Sequence, residues 1–293
     1  MANIKELSAR PDELAPGHRL CGGCGASMAV RQVLMGSNDY DVVCASATGC
    51  LEVSTTIFPD NAWNVSFIHN AFANAGATIS GVEAAYKGLQ RAGKIPADRK
   101  IKFVAFGGDG GTYDIGLQSL SGAMERGHDM VYVCYDNEAY MNTGIQRSSS
   151  TPRFTDATTT PVGKVSYGKK QNKKDLTEII AAHNVPYAAQ TTFLGNFRDL
   201  HEKAHKAIYT EGACFLNVMS PCPRGWRFQA QDMAEICKLA VETCAWPLYE
   251  VVEGEWHLTY MPKKKLPIEE YMSKQGRFKH CFKPGNEWMI EEA

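Results

Sequence analysis

Runs of nearly unbroken apolar residues recur along the chain at intervals that leave room for one helix between neighbours, and this alternation constrains the fold more than any other feature. The segments YDVVCAS (40–46), KIKFVAFGGDG (100–110), DMVYVCYDNE (129–138), PYAAQTTF (186–193) and ACFLNVMS (213–220) read as strands. Between them AGATISGVEAAYKGLQRAG (75–93), DIGLQSLSGAMERG (114–127), KKDLTEIIAAHN (173–184) and NFRDLHEKAHKAIYTEG (196–212) repeat apolar residues at helical spacing. Strands that are apolar on both faces, separated by helices of this length, predict an α/β fold with a doubly wound, mostly parallel sheet. A hydrophobic content of 44% in 293 residues supplies the core such a sheet needs.

The sheet domain is expected over residues 1–222. From Pro223 the texture changes, with tryptophans such as Trp226, Trp246 and Trp256 and the charged run MPKKKLPIEEY, so 223–293 is expected as a C-terminal extension packing on the domain or on a partner subunit. Residues 141–172 are polar and aperiodic; loops of that length within a compact domain are functional or disordered. A formal net charge of −1 offers no basic field for nucleic acid, and no apolar run approaches a membrane span. The opening residues MANIKELSARPDELAPGHR lack the apolar stretch of a signal peptide, so the expectation is a cytoplasmic protein that binds neither nucleic acid nor membrane.

The glycine-rich stretch GGDGGTYDIG (107–116) lies where the strand IKFVAFGG meets a helix that Asp114 would cap, and that junction is where α/β proteins bind phosphates. Its glycines let backbone N–H groups approach anionic oxygens. An aspartate there repels a phosphate unless a divalent cation lies between them, and Asp109 is a hard oxygen ligand suited to Mg²⁺. Asn137, 28 positions later, follows the next strand, so one helix and one strand bring it back beside Asp109. The pair predicts a diphosphate bound with a metal.

Gly108, Asp109 and Gly110 followed by Asn137 resemble the thiamine diphosphate motif, which opens with Gly-Asp-Gly and closes with Asn. The resemblance implies a thiamine diphosphate-binding fold in which the Asp109 and Asn137 side chains and the Ala139 carbonyl hold Mg²⁺, with Gly111 in the same cofactor loop.

Ten cysteines in a chain without an export pattern are expected as thiols, serving as ligands or as small core residues. Cys21 and Cys24 form a C-x-x-C in GHRLCGGCGAS, and the loop cysteines Cys50 (SATGCLEV) and Cys222 (SPCPRGW) are the candidates to complete a four-thiolate set. Spacing alone leaves Zn²⁺, a [4Fe–4S] cluster and a redox-active pair open. Cys44, Cys134 and Cys214 lie within apolar strands, where a thiol behaves as a small hydrophobe.

Taken together, GHRLCGGCG, TGCLEV, GGDGGTYDIG, DNEAYMNTGIQ and PCPRGW, in this order, resemble the β subunits of the pyruvate:ferredoxin oxidoreductases within the 2-oxoacid:ferredoxin oxidoreductase family. That resemblance implies a [4Fe–4S] cluster on Cys21, Cys24, Cys50 and Cys222, and Thr48, Gly49 and Thr143 facing the thiamine. It also implies that Asn142 acts as a catalytic residue beside thiazolium and substrate, and that pyruvate, coenzyme A and oxidised ferredoxin are converted to acetyl-CoA, CO₂ and reduced ferredoxin, or the reverse. An α subunit would complete the thiamine site with the glutamate that polarises the aminopyrimidine, and further subunits would carry ferredoxin-type clusters. The same chemistry on oxalate, 2-oxoglutarate, a branched-chain 2-oxoacid or an arylglyoxylate is the nearest rival; a non-catalytic metal-binding or electron-transfer subunit is the rival of a different class. His69, in SFIHNAF, reads as a satisfied core histidine.

Overall fold

The computed structural model describes residues 4–37, 40–193 and 197–293. Eight strands form a single sheet in the order β2-β1-β3-β4-β6-β5-β7-β8: β1 (Asp41–Ala47), β2 (Ser66–Asn70), β3 (Ile101–Gly108), β4 (Met130–Asp136), β5 (Tyr187–Thr192), β6 (Ala213–Met219), β7 (Leu248–Val252) and β8 (Glu255–Tyr260). The first six pair in parallel, and β7 and β8 add an antiparallel edge. The α/β, mostly parallel architecture is thus as expected. Asn196, the first residue of the predicted 196–212 helix, lies outside the described residues; the helix is described over Phe197–Tyr209.

Every residue of β4 and of β6 is buried, because helices cover both faces of a parallel sheet. Alternate residues feed two cores. Val104, Phe106, Val131, Val133, Leu216 and Val218 pack on one face, and Phe103, Ala105, Met130, Tyr132 and Phe215 pack on the other. Each such aliphatic or phenylalanine side chain contributes about 1.5–3 kcal/mol through burial, which holds the strand ends in fixed positions.

The chain moves outward from β1 to β2 with the short helix Cys50–Thr55 on the first face, then returns past β1 to β3 with the helix Ala75–Arg91 on the second. From β3 it proceeds the other way, with the helix Leu117–Glu125 also on the second face. Right-handed crossovers require this division. The segments leaving β1 and β3 therefore diverge, and a crevice opens between their carboxyl ends, where α/β sheets bind ligands.

Three expectations need correction. Asp114 does not cap a helix: Gly110–Ile115 forms one wide π-turn, and the following helix starts at Leu117 with Gly116 at its N-cap. The carboxylate of Asp114 instead accepts the backbone N–H of Ser149 at 3.0 Å and the Ser149 hydroxyl. Residues 223–293 do more than pack, since β7 and β8 extend the sheet. His69 is half exposed, and its Nδ1 lies 2.9 Å from Glu52 Oε1. Among the described residues no helix is long and apolar enough to cross a membrane.

Candidate functional site

A cavity of about 260 Å³ occupies the crevice. Thr48, Gly49 and Cys50 line it from the end of β1, Gly108, Asp109, Gly110 and Gly111 from the end of β3, and Asn137, Ala139, Asn142 and Thr143 from beyond β4. Every residue that the sequence assigned to the thiamine pocket therefore lies on one wall system. Phe72, Tyr135, Tyr140 and Met141 complete the lining; they carried no sequence signal beyond their proximity to strand ends. Gly110 must be glycine, because a Cβ there would lie 2.5 Å from the Tyr140 ring.

Asp109 is buried. It accepts the Asn137 backbone N–H at 3.3 Å and the Ser148 hydroxyl. Burial, and next the charge of Asp136, raises its carboxyl well above the usual carboxylate range. A carboxylate in such a place calls for a cation. The Asn137 amide faces both Asp109 Oδ1 (2.9 Å) and the Ala139 carbonyl oxygen (2.8 Å), with its nitrogen as the donor to both. Turning the amide over would present its oxygen beside those two, giving three oxygen donors, the hard ligand type that Mg²⁺ takes. The donor set fits Mg²⁺.

Three consecutive serines hold three aspartates around this point. Ser148 donates to Asp109, Ser149 to Asp114 and Ser150 to both carboxylate oxygens of Asp136, at 2.6 and 2.7 Å. The polar 141–172 segment is ordered here by hydrogen bonds to the cofactor loops instead of by apolar packing. Sequence reasoning missed these serines, although the run SSS in a polar loop just beyond Asn142 was the available signal.

The four predicted cluster cysteines lie on neighbouring loops. Cys24 precedes the helix Gly25–Leu34, Cys50 starts the helix after β1, and Cys222 caps the short helix after β6, accepting the Gly225 N–H at 3.4 Å. Burial first, and then the charges of the other members of the set, Cys21 and Cys222 included, push the Cys24 thiol up to about 11 and the Cys50 thiol up to about 12. Backbone N–H groups of Ala26 and Ser27 oppose that rise at Cys24. Thiols that receive N–H donors suit metal-bound thiolates. Among the described residues no three acidic, histidine or cysteine side chains converge on one ion. Four thiolates of this kind are the donor set of a [4Fe–4S] cluster and of a structural Zn²⁺ alike. The Cys50 thiol also donates to Asn142 Oδ1 at 3.8 Å, so the thiol set adjoins the cavity directly.

Gly25 brings two of these loops together. Its N–H donates to the Pro221 carbonyl at 3.0 Å, and a Cβ there would meet the Ser220 backbone at 2.7 Å. Gly25→Ala is expected to cost about 1–3 kcal/mol by overpacking and to pry the Cys24 and Cys222 loops apart. Thermal unfolding and iron analysis of the anaerobic protein should both register it. Gly22→Ala, where a Cβ meets nothing within 4 Å, should change neither, and equal effects of the two would refute the spacing role.

Comparison with known proteins bears on this site. The family described as thiamine pyrophosphate enzyme, C-terminal TPP binding domain, matches residues 47–218. The chain is 53% identical over 297 residues to pyruvate synthase subunit PorB of Thermotoga maritima, covering 99% of this chain and 91% of that protein. It is 51% identical to pyruvate synthase subunit PorB of Methanocaldococcus jannaschii (92% and 90% covered) and 45% identical to ketoisovalerate oxidoreductase subunit VorB of Pyrococcus horikoshii (94% and 89% covered). A solved 2-oxoglutarate:ferredoxin oxidoreductase of Magnetococcus marinus shares the fold, with a TM-score of 0.61 at 20% identity over 96% of this chain and 94% of that one.

Proposed function

Because this chain belongs to the thiamine diphosphate-dependent 2-oxoacid:ferredoxin oxidoreductases, among the β subunits typified by pyruvate synthase PorB, we propose that it is the thiamine- and cluster-binding subunit of a pyruvate:ferredoxin oxidoreductase. Pyruvate, coenzyme A and two oxidised ferredoxins would yield acetyl-CoA, CO₂, two reduced ferredoxins and a proton, or the reverse. Bound thiamine diphosphate supplies the nucleophilic carbon and electron sink that let a 2-oxoacid lose CO₂, and a [4Fe–4S] cluster supplies a one-electron acceptor.

The chain's own residues divide the work. Asp109, Asn137 and the Ala139 carbonyl hold Mg²⁺ against the diphosphate, and the backbone of Gly110 and Gly111 approaches its oxygens. Thr48, Gly49 and Thr143 line the thiamine, and Asn142 offers an amide for hydrogen bonds to substrate. Cys21, Cys24, Cys50 and Cys222 ligate the cluster. The observation that carries this reading is Cys50, which lines the cavity, belongs to the thiol set and contacts Asn142. That adjacency suits single-electron transfer from the site of decarboxylation to a neighbouring acceptor. Asp109 is the only acidic side chain on the cavity wall among the described residues, so an α subunit is proposed to bring the glutamate for the aminopyrimidine. Further subunits would carry electrons to ferredoxin.

The relative named for ketoisovalerate, at 45% identity, supports a branched-chain 2-oxoacid as the second reading. The test is the complete complex, purified without oxygen and assayed for reduction of a low-potential dye. Pyruvate, 2-oxoisovalerate, 2-oxoglutarate, oxalate and an arylglyoxylate are compared with and without coenzyme A. The expected result is coenzyme A-dependent reduction with pyruvate far ahead of the others. Preference for another acid would replace the substrate, and a complex that contains zinc but neither iron nor thiamine would overturn the mechanism.

A further inference from the structure

The turn that carries two of the proposed Mg²⁺ ligands has a residue between them, Glu138, in a left-handed conformation with φ of 64°. A non-glycine residue holds that conformation only where its surroundings over-determine it. Here every polar group of Glu138 is engaged. Its N–H donates to Asp136 Oδ1 at 3.0 Å, its carbonyl accepts the Thr151 hydroxyl at 2.6 Å, and its carboxylate accepts Lys173 Nζ at 3.1 Å and Arg277 Nη2. Thr151 and Lys173 come from the polar segment and its border, but Arg277 arrives from the far C-terminal region, 139 positions away.

Arg277 is fully buried. Its Nε donates to Gln275 Oε1 at 2.8 Å, and its guanidinium lies 4.0 Å from the centre of the Trp226 ring. Trp226 in turn donates from Nε1 to the carbonyl of Asn137 at 2.7 Å, and its backbone N–H bonds the Cys222 carbonyl at 2.9 Å. One guanidinium thus touches both supports of the metal-binding turn, and one of them is continuous with a cluster cysteine. The Arg277 charge also favours the thiolate form at Cys222, though burial outweighs it and raises that thiol.

We infer that Arg277 is a positioning residue for the cofactor metal: through Glu138 and Trp226 it fixes the Asn137–Ala139 turn so that the Asn137 side chain and the Ala139 carbonyl face Asp109. This deepens the proposed function and rests on its assignment of the Mg²⁺ ligands. Without the guanidinium, Glu138 keeps Lys173 but loses its second anchor, and the turn relaxes toward a right-handed conformation that swings the Ala139 carbonyl away.

The test is the Mg²⁺ concentration at which the complete, chelator-treated complex retains half its thiamine diphosphate, measured as thiochrome after desalting. Partners that orient a metal's ligands are typically worth about 10–100-fold in metal affinity, so Arg277→Gln should raise that concentration about tenfold or more. Arg277→Lys, which keeps the charge but loses the planar fork and the ring stack, should shift it less in the same direction. Glu138→Gln should shift it in the same direction, and the double variant should shift it by less than the two single shifts combined, because the Glu138–Arg277 contact is shared. Should Arg277→Gln fail to assemble, Arg277→Lys and Glu138→Gln carry the test alone. A lowered melting temperature with an unchanged Mg²⁺ requirement would make Arg277 a core brace and overturn the inference. Asn137→Ala separates the two levels. If it too leaves the requirement unchanged, the ligand assignment fails; if it raises the requirement while the Arg277 and Glu138 variants do not, only the role of Arg277 falls.

Discussion

Asp109→Asn is expected to empty the thiamine site while leaving the fold intact. The substitution removes the only charged ligand that this chain is proposed to give Mg²⁺, and deleting one partner of a buried charge pair costs about 3–5 kcal/mol. At 1.4 kcal/mol per tenfold, thiamine diphosphate retention should weaken by about two to four orders of magnitude. The metal-free protein should respond differently. There the Asp109 carboxyl lies fully buried beside the charge of Asp136, and both disfavour its ionised form. Asparagine removes the charge and still accepts from the Ser148 hydroxyl, and the neighbouring Asn137 amide can turn to pair with it. The metal-free variant should therefore melt no lower than metal-free wild type, although the loaded wild type gains stability that the variant cannot. Thiochrome analysis and melting curves with and without Mg²⁺ separate these effects. An Asp109→Asn complex that keeps its thiamine at wild-type Mg²⁺ would end the metal reading of this residue.

The placement of that site was legible because it follows from topology. Asp109 and Asn137 are each one step past an apolar strand, and a strand-helix-strand unit must return them to the same sheet edge. Cys50 could be placed by similar logic, three residues past the end of β1. The parts that stayed hidden depend on side chains from distant segments. Nothing in GGDGGTYDIG announces a π-turn, and Asp114 looks like a helix cap by local rules. Its true partner is Ser149, in a loop whose order comes from three serine–aspartate pairs that no periodicity encodes. Glu138 carries no glycine-like signature for its left-handed φ, since the conformation is imposed by Lys173 and Arg277. The antiparallel edge was hidden for a related reason: β8 has only one sheet neighbour, and Glu255–His257 are exposed, so EWHLTY lacks the unbroken apolar character that marked the inner strands. What sequence patterns miss is the set of contacts through which remote segments impose a local conformation.

Cys50→Ser should remove electron output almost entirely, and the comparison with Cys44→Ala should show why. Both residues belong to the β1 region, yet Cys44 is fully buried within the strand core, whereas Cys50 lies at the cavity beside Asn142. Cys44→Ala deletes a small hydrophobe; about 1–2 kcal/mol of stability should be lost, with iron and sulfide unchanged. Serine at 50 keeps the size and the hydrogen-bonding capacity toward Asn142 but replaces a soft thiolate with a hard alcohol that binds iron poorly at neutral pH. Iron, sulfide and the visible absorbance assigned to this chain should fall, and dye or ferredoxin reduction should drop by at least about three orders of magnitude, as expected when the acceptor next to a reacting centre is lost. Thiamine content is the discriminating readout. The Mg²⁺ ligands come from β3 and beyond β4, not from the Cys50 loop, so Cys50→Ser should keep its thiamine and still catalyse exchange of CO₂ with the 2-oxoacid carboxylate more readily than it reduces dye. Loss of thiamine together with iron would mean that the Cys50 loop supports the whole cavity. Full electron output in the serine variant would remove Cys50 from the cluster and with it the adjacency on which single-electron transfer in this site depends.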